Sequence, residues 1–242
     1  MMKTHLAILI VLSLCVSICT KAQVKQKLLE SMMGKGKTGN SKLPDTYEFQ
    51  WEFKTVIKSS GNEEMNMNYL INPDSVYFGM QIASEEYQKM DFMCIVVDPK
   101  IETSTTFMSS KGQKMSMFTK MPKEGTKKEK DPGFSYKEIG TKEILGYECY
   151  GIEVENGDSK GTMYFTLEAP VSFSALFAYS QKSTPKGFDP ALLQVLAEEA
   201  LLMEMNFEHK KKKNQSFTMI AVSLDKKETI IKTAGYQTMP GF

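Results

Sequence analysis

The sequence predicts a mainly β (α+β) fold: a curved antiparallel sheet or half-barrel of about ten strands with one packed helix. From about Thr46 onward, apolar residues recur at every second position in segment after segment, which is the pattern of half-buried strands. Turn signals such as Asn156-Gly157 separate these segments. A single helical pattern near 189–200 interrupts them late in the chain. With 41% hydrophobic and 24% charged residues over 242 positions, the composition is that of a globular protein.

The first 22 residues have the features of a secretory signal peptide. Lys3 gives a positive start, Leu6 to Ile18 is an apolar run, and Thr20 and Ala22 are the small residues expected before a cleavage site. The run is shorter than the roughly 20 residues that span a bilayer, so cleavage after Ala22 is favoured over an uncleaved anchor. The chain is therefore expected to be periplasmic or secreted, and not transmembrane once the signal is removed. Leu14 and Ile18 precede the two signal-segment cysteines where a lipoprotein signal needs a small residue, which favours a soluble product.

Residues 23–45 are predicted to form a short amphipathic helix followed by a linker. The linker includes Gly34 to Gly39, whose letters match G-x-G-x-x-G. A dinucleotide-binding loop follows a strand and opens a helix, whereas this segment follows a helical pattern. We therefore interpret it as a linker, and expect one antiparallel β domain over 46–242.

The strands of the first half follow one another with short connections. Tyr47 to Ile57 alternates almost perfectly, and Asp91 to Asp98 is apolar at successive positions, so it is expected to be covered on both faces. The predicted strands of this half are 46–58, 65–71, 76–82, 91–98, 101–108 and 114–119.

The second half begins after a polar loop at 121–133. Residues 143–155 and 162–167 flank Asn156-Gly157, a strong hairpin signal. Asp189-Pro190 supplies an N-cap and a first-turn proline for the helix near 189–200. The remaining predicted strands are 203–207, 217–224 and 228–232.

Methionine is unusually frequent, with 18 residues, and it recurs at i, i+2 within strands. Such pairs place two thioethers on one strand face. They could bind Cu(I), fill an ordinary core, or line an adaptable apolar surface. A curved sheet could cradle an acyl chain on a face formed by Trp51, Phe53, Met65, Met67, Phe78, Met80, Met203 and Met205.

Several function classes are disfavoured by composition. The net charge is +1 and all 30 basic residues are lysine, which argues against nucleic-acid binding. His209 is the one histidine beyond the signal segment and adjoins Lys210 to Lys213, so it is a poor general base. We expect no catalytic residues, no metal and no cofactor, although paired carboxylates stay open. The lysine run is interpreted as a solvated turn, with contact to anionic headgroups as the alternative.

Cys94 and Cys149 remain after signal removal, and an even count in an oxidising compartment permits a disulfide. Both lie inside apolar strand-like runs, where free cysteines behave as small hydrophobic residues.

At Glu138 to Cys149, with the letters EIGTKEILGYEC, the chain resembles the exported bacterial domain-of-unknown-function family numbered four-four-one-two. Further matching segments are 90–98, 112–115 and Gly235-Tyr236. The resemblance covers about Thr46 to Met239 and implies a sheet similar to the half-barrel of periplasmic lipoprotein carriers. It implies no assigned activity and no catalytic residues. The chain has Met163-Tyr164-Phe165 where members often carry tryptophan.

These observations together predict an exported non-enzymatic envelope protein that binds an apolar ligand, such as a lipid or a lipoprotein acyl chain. The alternative is a structural or protein-interaction module of the envelope that binds another envelope protein and no small ligand.

Overall fold

A computed structural model describes residues 43–60, 64–83, 90–120, 135–172, 196, 199–212 and 216–238. Alternating apolar residues form strands throughout these ranges, and a short 3-10 helix at Thr233–Gly235 precedes the last strand. The strands are β1 Thr46–Ser59, β2 Glu64–Ile71, β3 Phe78–Ala83, β4 Phe92–Asp98, β5 Thr103–Ser110, β6 Gln113–Lys120, β7 Ser135–Ile144, β8 Tyr147–Glu155, β9 Ser159–Thr166, β10 Leu201–His209, β11 Phe217–Lys232 and β12 Gln237–Thr238.

All twelve strands belong to one open sheet in the order β12-β6-β5-β4-β3-β2-β1-β11-β10-β9-β8-β7. Two meanders make up this sheet, β1 to β6 and β7 to β11, and they meet where β1 pairs with β11. Every pairing is antiparallel except the short parallel contact of β12 with β6. Within the described ranges, no helix has the length and hydrophobicity needed to cross a membrane.

The predicted class, a mainly β antiparallel sheet, is confirmed, and three details of the prediction differ. β7 was not predicted, because Ser135–Ile144 is polar on both faces and has no apolar alternation. β11 is one continuous strand where two short strands were expected, and β12 adds a twelfth. The helix predicted near 189–200 falls mostly outside the described residues, as do the signal peptide and the amphipathic helix, so these stay predictions.

The length of one connection bears on the curvature of the sheet. Ten strand positions separate β6 from β7, which is about 48 Å across a flat sheet. Fourteen residues, 121–134, connect these strands, and a fully extended chain of that length spans at most about 50 Å. A flat sheet would need this connection to be almost fully stretched along the shortest path, which favours an arrangement in which the two edges approach each other. This requirement favours the curved form expected from the sequence.

Both faces of the sheet carry an apolar cluster, and successive residues of β4 alternate between them. Ile95 belongs to the larger cluster, whereas Cys94 and Val96 belong to the smaller one. The prediction that this strand is covered on both sides is therefore confirmed. We call the side with the larger cluster the apolar face, and the smaller cluster the second cluster. The second cluster consists of Tyr47, Phe49, Leu70, Cys94, Val96, Phe107 and Ile231.

Candidate functional site

The apolar face contains all eight residues predicted to contact a ligand. Six are buried members of its cluster, and two are partly buried and packed against it. The buried six are Phe53, Met67, Phe78, Met80, Met203 and Met205, and the partly buried two are Trp51 and Met65.

Strand pairing arranges these side chains in rows across the sheet, because directly opposed residues project from the same face. One row runs through Phe53, Tyr69, Met80 and Ile95, on four neighbouring strands. Another begins at Trp51 and continues through Ile71 and Phe78. These residues are far apart in sequence, so their neighbourhood depends on strand register.

A third row is rich in methionine. Met163 on β9, Met205 on β10 and Met219 on β11 are direct partners in turn. The row then passes through Ile57 on β1 to Met65 on β2. Met163 and Met219 were not among the predicted residues. A register prediction for the Asn156-Gly157 hairpin and its neighbours is the signal that would have found them.

The apolar face is filled by side chains of the chain itself. Val171 and Ala200 are buried within the cluster, and Ala169 and Leu196 pack against it. All four belong to the connection between β9 and β10. Trp51 and Met65 retain partial exposure at two separate places on the face, because Met65 pairs with Ile57, six residues along β1 from Trp51.

The second cluster includes a close approach of backbone at Gly79. A Cβ atom there would lie 3.1 Å from both the Cys94 Sγ and the Leu70 Cβ. The aromatic rings of Tyr47 and Phe107 pack edge to face at 6.0 Å, and Tyr236 packs on Phe107 at 4.9 Å. The start of β1 and the chain after β11 therefore cover this side of the sheet.

Two carboxylates are buried, and their partners differ. Glu52 lies between Lys54 at 3.2 Å and Lys227 at 3.0 Å, and it raises the pKa of Lys54 through a hydrogen bond and its charge. Asp98 instead accepts a hydrogen bond from the Tyr47 hydroxyl at 3.2 Å and one from the Lys100 backbone N–H at 3.0 Å. Burial, and secondarily the Asp98 charge, hold the pKa of Tyr47 well above its usual range.

Cys94 and Cys149 are both free and buried, and they belong to different clusters. The alternative of buried free thiols therefore holds, and the permitted disulfide is not formed. Burial raises the pKa of Cys94 to about 12 and also raises the pKa of Cys149. Since the thiolate is the reactive form, neither side chain is suited to act as a nucleophile.

The lysine turn after β10 is paired with the turn between β8 and β9. Lys210 contacts Glu155 at 2.6 Å, and Lys211 contacts Asp158 at 2.9 Å. Hydrogen bonds from these lysines lower the pKa of both carboxyl groups. Much of the positive charge available for anionic headgroups is thus matched locally. The Nδ1 atom of His209 accepts a hydrogen bond from the Lys211 backbone N–H at 3.3 Å.

The part of the chain that the structure describes contains no group of three or more His, Cys, Asp or Glu side chains arranged to hold a metal.

Fold and site together define a mainly β protein with an apolar core on each side of one open sheet. Residues 51–233 match the family model described as "Domain of unknown function (DUF4412)". The chain belongs to this family, as the resemblance at Glu138 to Cys149 indicated. No curated protein matches it.

Similarity to solved structures is confined to low scores. The structure of PNGF-II is 13% identical, with a TM-score of 0.38, over 78% of this chain and 30% of that chain. This chain therefore spans less than a third of that protein. The LolA superfamily protein NE2245 from Nitrosomonas europaea is 12% identical, with a TM-score of 0.28, over 84% and 93% of the two chains. MucB in complex with MucA(peri) is 9% identical, with a TM-score of 0.37, over 83% and 53%.

Proposed function

We propose that this chain is an exported, non-enzymatic envelope protein that binds one apolar chain, such as a lipid or lipoprotein acyl chain, against the apolar face. The observation that carries this proposal is the meeting of all eight predicted residues in one cluster on one side of an open sheet. The export part rests on the signal-peptide features of residues 1–22, and the expected location is the periplasm or outside the cell.

Methionine suits such a face. Its unbranched thioether side chain adapts to irregular apolar shapes and recurs at surfaces that accept varied ligands. The row of Met163, Met205 and Met219 supplies three adaptable side chains on neighbouring strands. Burial of an acyl chain against them would contribute about 0.8 kcal/mol per methylene.

A ligand has to replace the side chains that now cover the face. Val171 and Leu196 pack on the cluster from outside the strands, so they are the residues that must give way. Met65 is partly exposed at the start of β2, and we propose this margin of the face as the point of entry.

The test is native mass spectrometry of the protein purified from its own envelope, followed by solvent extraction of any bound material. A stoichiometric lipid-sized mass supports the proposal and identifies the ligand class. A copper-sized mass would instead support the thioether alternative. A bare protein mass, under conditions that keep a known lipid carrier loaded, would refute ligand binding.

A variant pair separates ligand binding from folding. Met65→Glu places a charge at the partly exposed margin, where it should abolish the bound mass while the protein still folds. Val222→Glu makes a similar change on a strand residue that is 51% exposed and outside the cluster, so it should keep the ligand. If Met65→Glu folds and remains fully loaded, the margin is not the entry point.

The second candidate function is a structural or protein-interaction module with no small ligand. The outer edge of β7 favours it, since this ten-residue strand has a neighbour on one side only among the described strands. An unpaired edge can add a strand from another protein. Co-purification of an envelope protein together with a bare protein mass would support this function.

A further inference from the structure

Asp98 and Glu52 are equally buried, each 3% exposed, yet they are neutralised differently. Glu52 has two lysine partners, Lys54 and Lys227. Within the ranges the structure describes, Asp98 forms no ion pair, and its hydrogen-bond donors are the neutral Tyr47 hydroxyl and the Lys100 backbone N–H. A buried carboxylate is costly unless its charge is compensated. A positive charge would stabilise the buried Asp98 carboxylate, and the nearby described side chains do not supply one.

Two buried hydroxyls that have no hydrogen-bond partner lie on the same face of the sheet as this carboxylate. Thr103 is the direct partner of Asp98 in the β4–β5 pairing, so both side chains project from the same face. Thr105 follows two residues later on that face. Both threonines are fully buried, and neither Oγ1 atom has a hydrogen-bond partner. The one other buried hydroxyl in this condition, among the described residues, is Thr55, which faces Met67 and Ala221 on other strands.

These oxygen atoms belong to residues of three strands, β1, β4 and β5. Tyr47 arrives from β1, which is not paired with β4, and its ring packs on Phe107 in the same β5 row as the two threonines. Carboxylate, hydroxyl and phenol oxygens are hard ligands, which prefer alkali and alkaline-earth ions to copper or zinc. One carboxylate with neutral hydroxyls balances a single positive charge, whereas divalent sites usually use more than one carboxylate.

We propose that Asp98, Thr103 and Thr105, together with the phenol oxygen of Tyr47, form a binding site for a monovalent alkali cation, sodium or potassium. The site lies at the end of β4, next to the turn in which Lys100 and Glu102 are exposed, so the ion can enter from solvent. Binding would connect the start of β1 to the β4–β5 hairpin across the second cluster. This site is on the opposite side of the sheet from the apolar face and is independent of any lipid.

The experiment is thermal unfolding of the purified protein in chloride salts of choline, sodium or potassium at one fixed ionic strength. Choline is too large for a buried oxygen site, so it supplies the reference state. We expect the melting temperature to rise saturably with sodium or potassium. Asp98→Asn should remove this rise, because it removes the compensating charge. Glu52→Gln is the matched control: it should lower stability yet retain the rise.

Thr103→Val is the second variant, since it removes one ligand and keeps the side-chain shape. It should increase the salt concentration at half-effect by at least about tenfold. A crystal soaked in rubidium chloride gives a direct readout, with an anomalous peak expected next to the Asp98 carboxylate. Identical melting temperatures in the three salts, together with no rubidium peak, would overturn the proposal in favour of a water molecule. Retention of the full rise in Asp98→Asn would overturn it as well.

Discussion

Gly161 on β9 lies very close to the backbone of β10, near the methionine row. It pairs with Phe207 on β10, two residues from the Met163–Met205 pair. A Cβ atom at this position would lie 2.7 Å from the backbone oxygen of Asn206. A backbone carbonyl in a strand cannot rotate away as a side chain can. Gly161→Ala is therefore expected to push β9 away from β10.

The magnitude follows from two opposing contributions. Overpacking of this kind costs about 1–3 kcal/mol, and the backbone contact places this site in the upper half of that range. Replacing glycine also restricts the unfolded chain, which stabilises the protein by about 0.4–1 kcal/mol. The net loss should be about 2 kcal/mol, which lowers the melting temperature of a domain of this size by about 4–8 °C.

The assay is thermal unfolding followed by circular dichroism, with Gly157→Ala as the matched control from the same hairpin. A Cβ atom at Gly157 meets nothing within 4 Å, so this variant keeps only the favourable contribution. Its melting temperature should be unchanged or higher by about 1–4 °C. Equal shifts for the two alanine variants, or a Gly161→Ala protein as stable as the parent, would refute the steric reasoning.

Two further predictions concern buried side chains whose pKa is raised. The folded-state pKa of Tyr47 lies above its unfolded value of about 10, so the unfolded state loses its proton first as the pH rises. The free energy of unfolding should therefore be constant below about pH 10. Above that pH it should fall by up to about 1.4 kcal/mol per pH unit. Unfolding in urea at several alkaline pH values measures this decline in stability, and Tyr47→Phe should show a shallower decline. An equally steep decline in this variant would assign the effect to other tyrosines, such as Tyr236, because burial also raises the pKa of Tyr236. Cys94 and Cys149 should both resist alkylation by iodoacetamide in the folded protein and react after unfolding in urea, and mass spectrometry would count the adducts. Rapid labelling of either thiol under native conditions would contradict their burial.

The strands that the sequence predicts best are those with one solvent-exposed face and one buried face. Apolar and polar residues alternate from Tyr47 to Ile57, and β1 covers that whole range. β7 lacks the pattern because an edge strand with little coverage has no face to bury, and its lysines and glutamates resemble the polar loop before it. β11 continues through Lys226 and Glu228 because pairing with β1, and not burial, holds that stretch extended.

The candidate sites depend on register to different degrees. The eight residues of the apolar face could be predicted because each lies on the apolar side of its own strand. Met163 and Met219 become their neighbours only through pairings between β9, β10 and β11, which no local pattern specifies. Asp98 looks in sequence like an ordinary strand end before proline, and Thr103 and Thr105 like ordinary strand residues. Their burial together follows from the coverage that Tyr47 provides from a distant strand.

The seam between β1 and β11 has a consequence for how the chain acquires its structure. The first strand of the sheet to leave a ribosome or a translocation channel has its central partner almost at the other end of the chain, with Tyr47 opposite Ile231. Contacts of such high contact order form slowly, because a long loop must close before they contribute. Until β11 arrives, each meander presents a bare inner edge beside an uncovered apolar surface, which is the condition under which strands aggregate. A chain with this topology is therefore most prone to aggregate before β1 pairs with β11 and joins the two halves of the sheet.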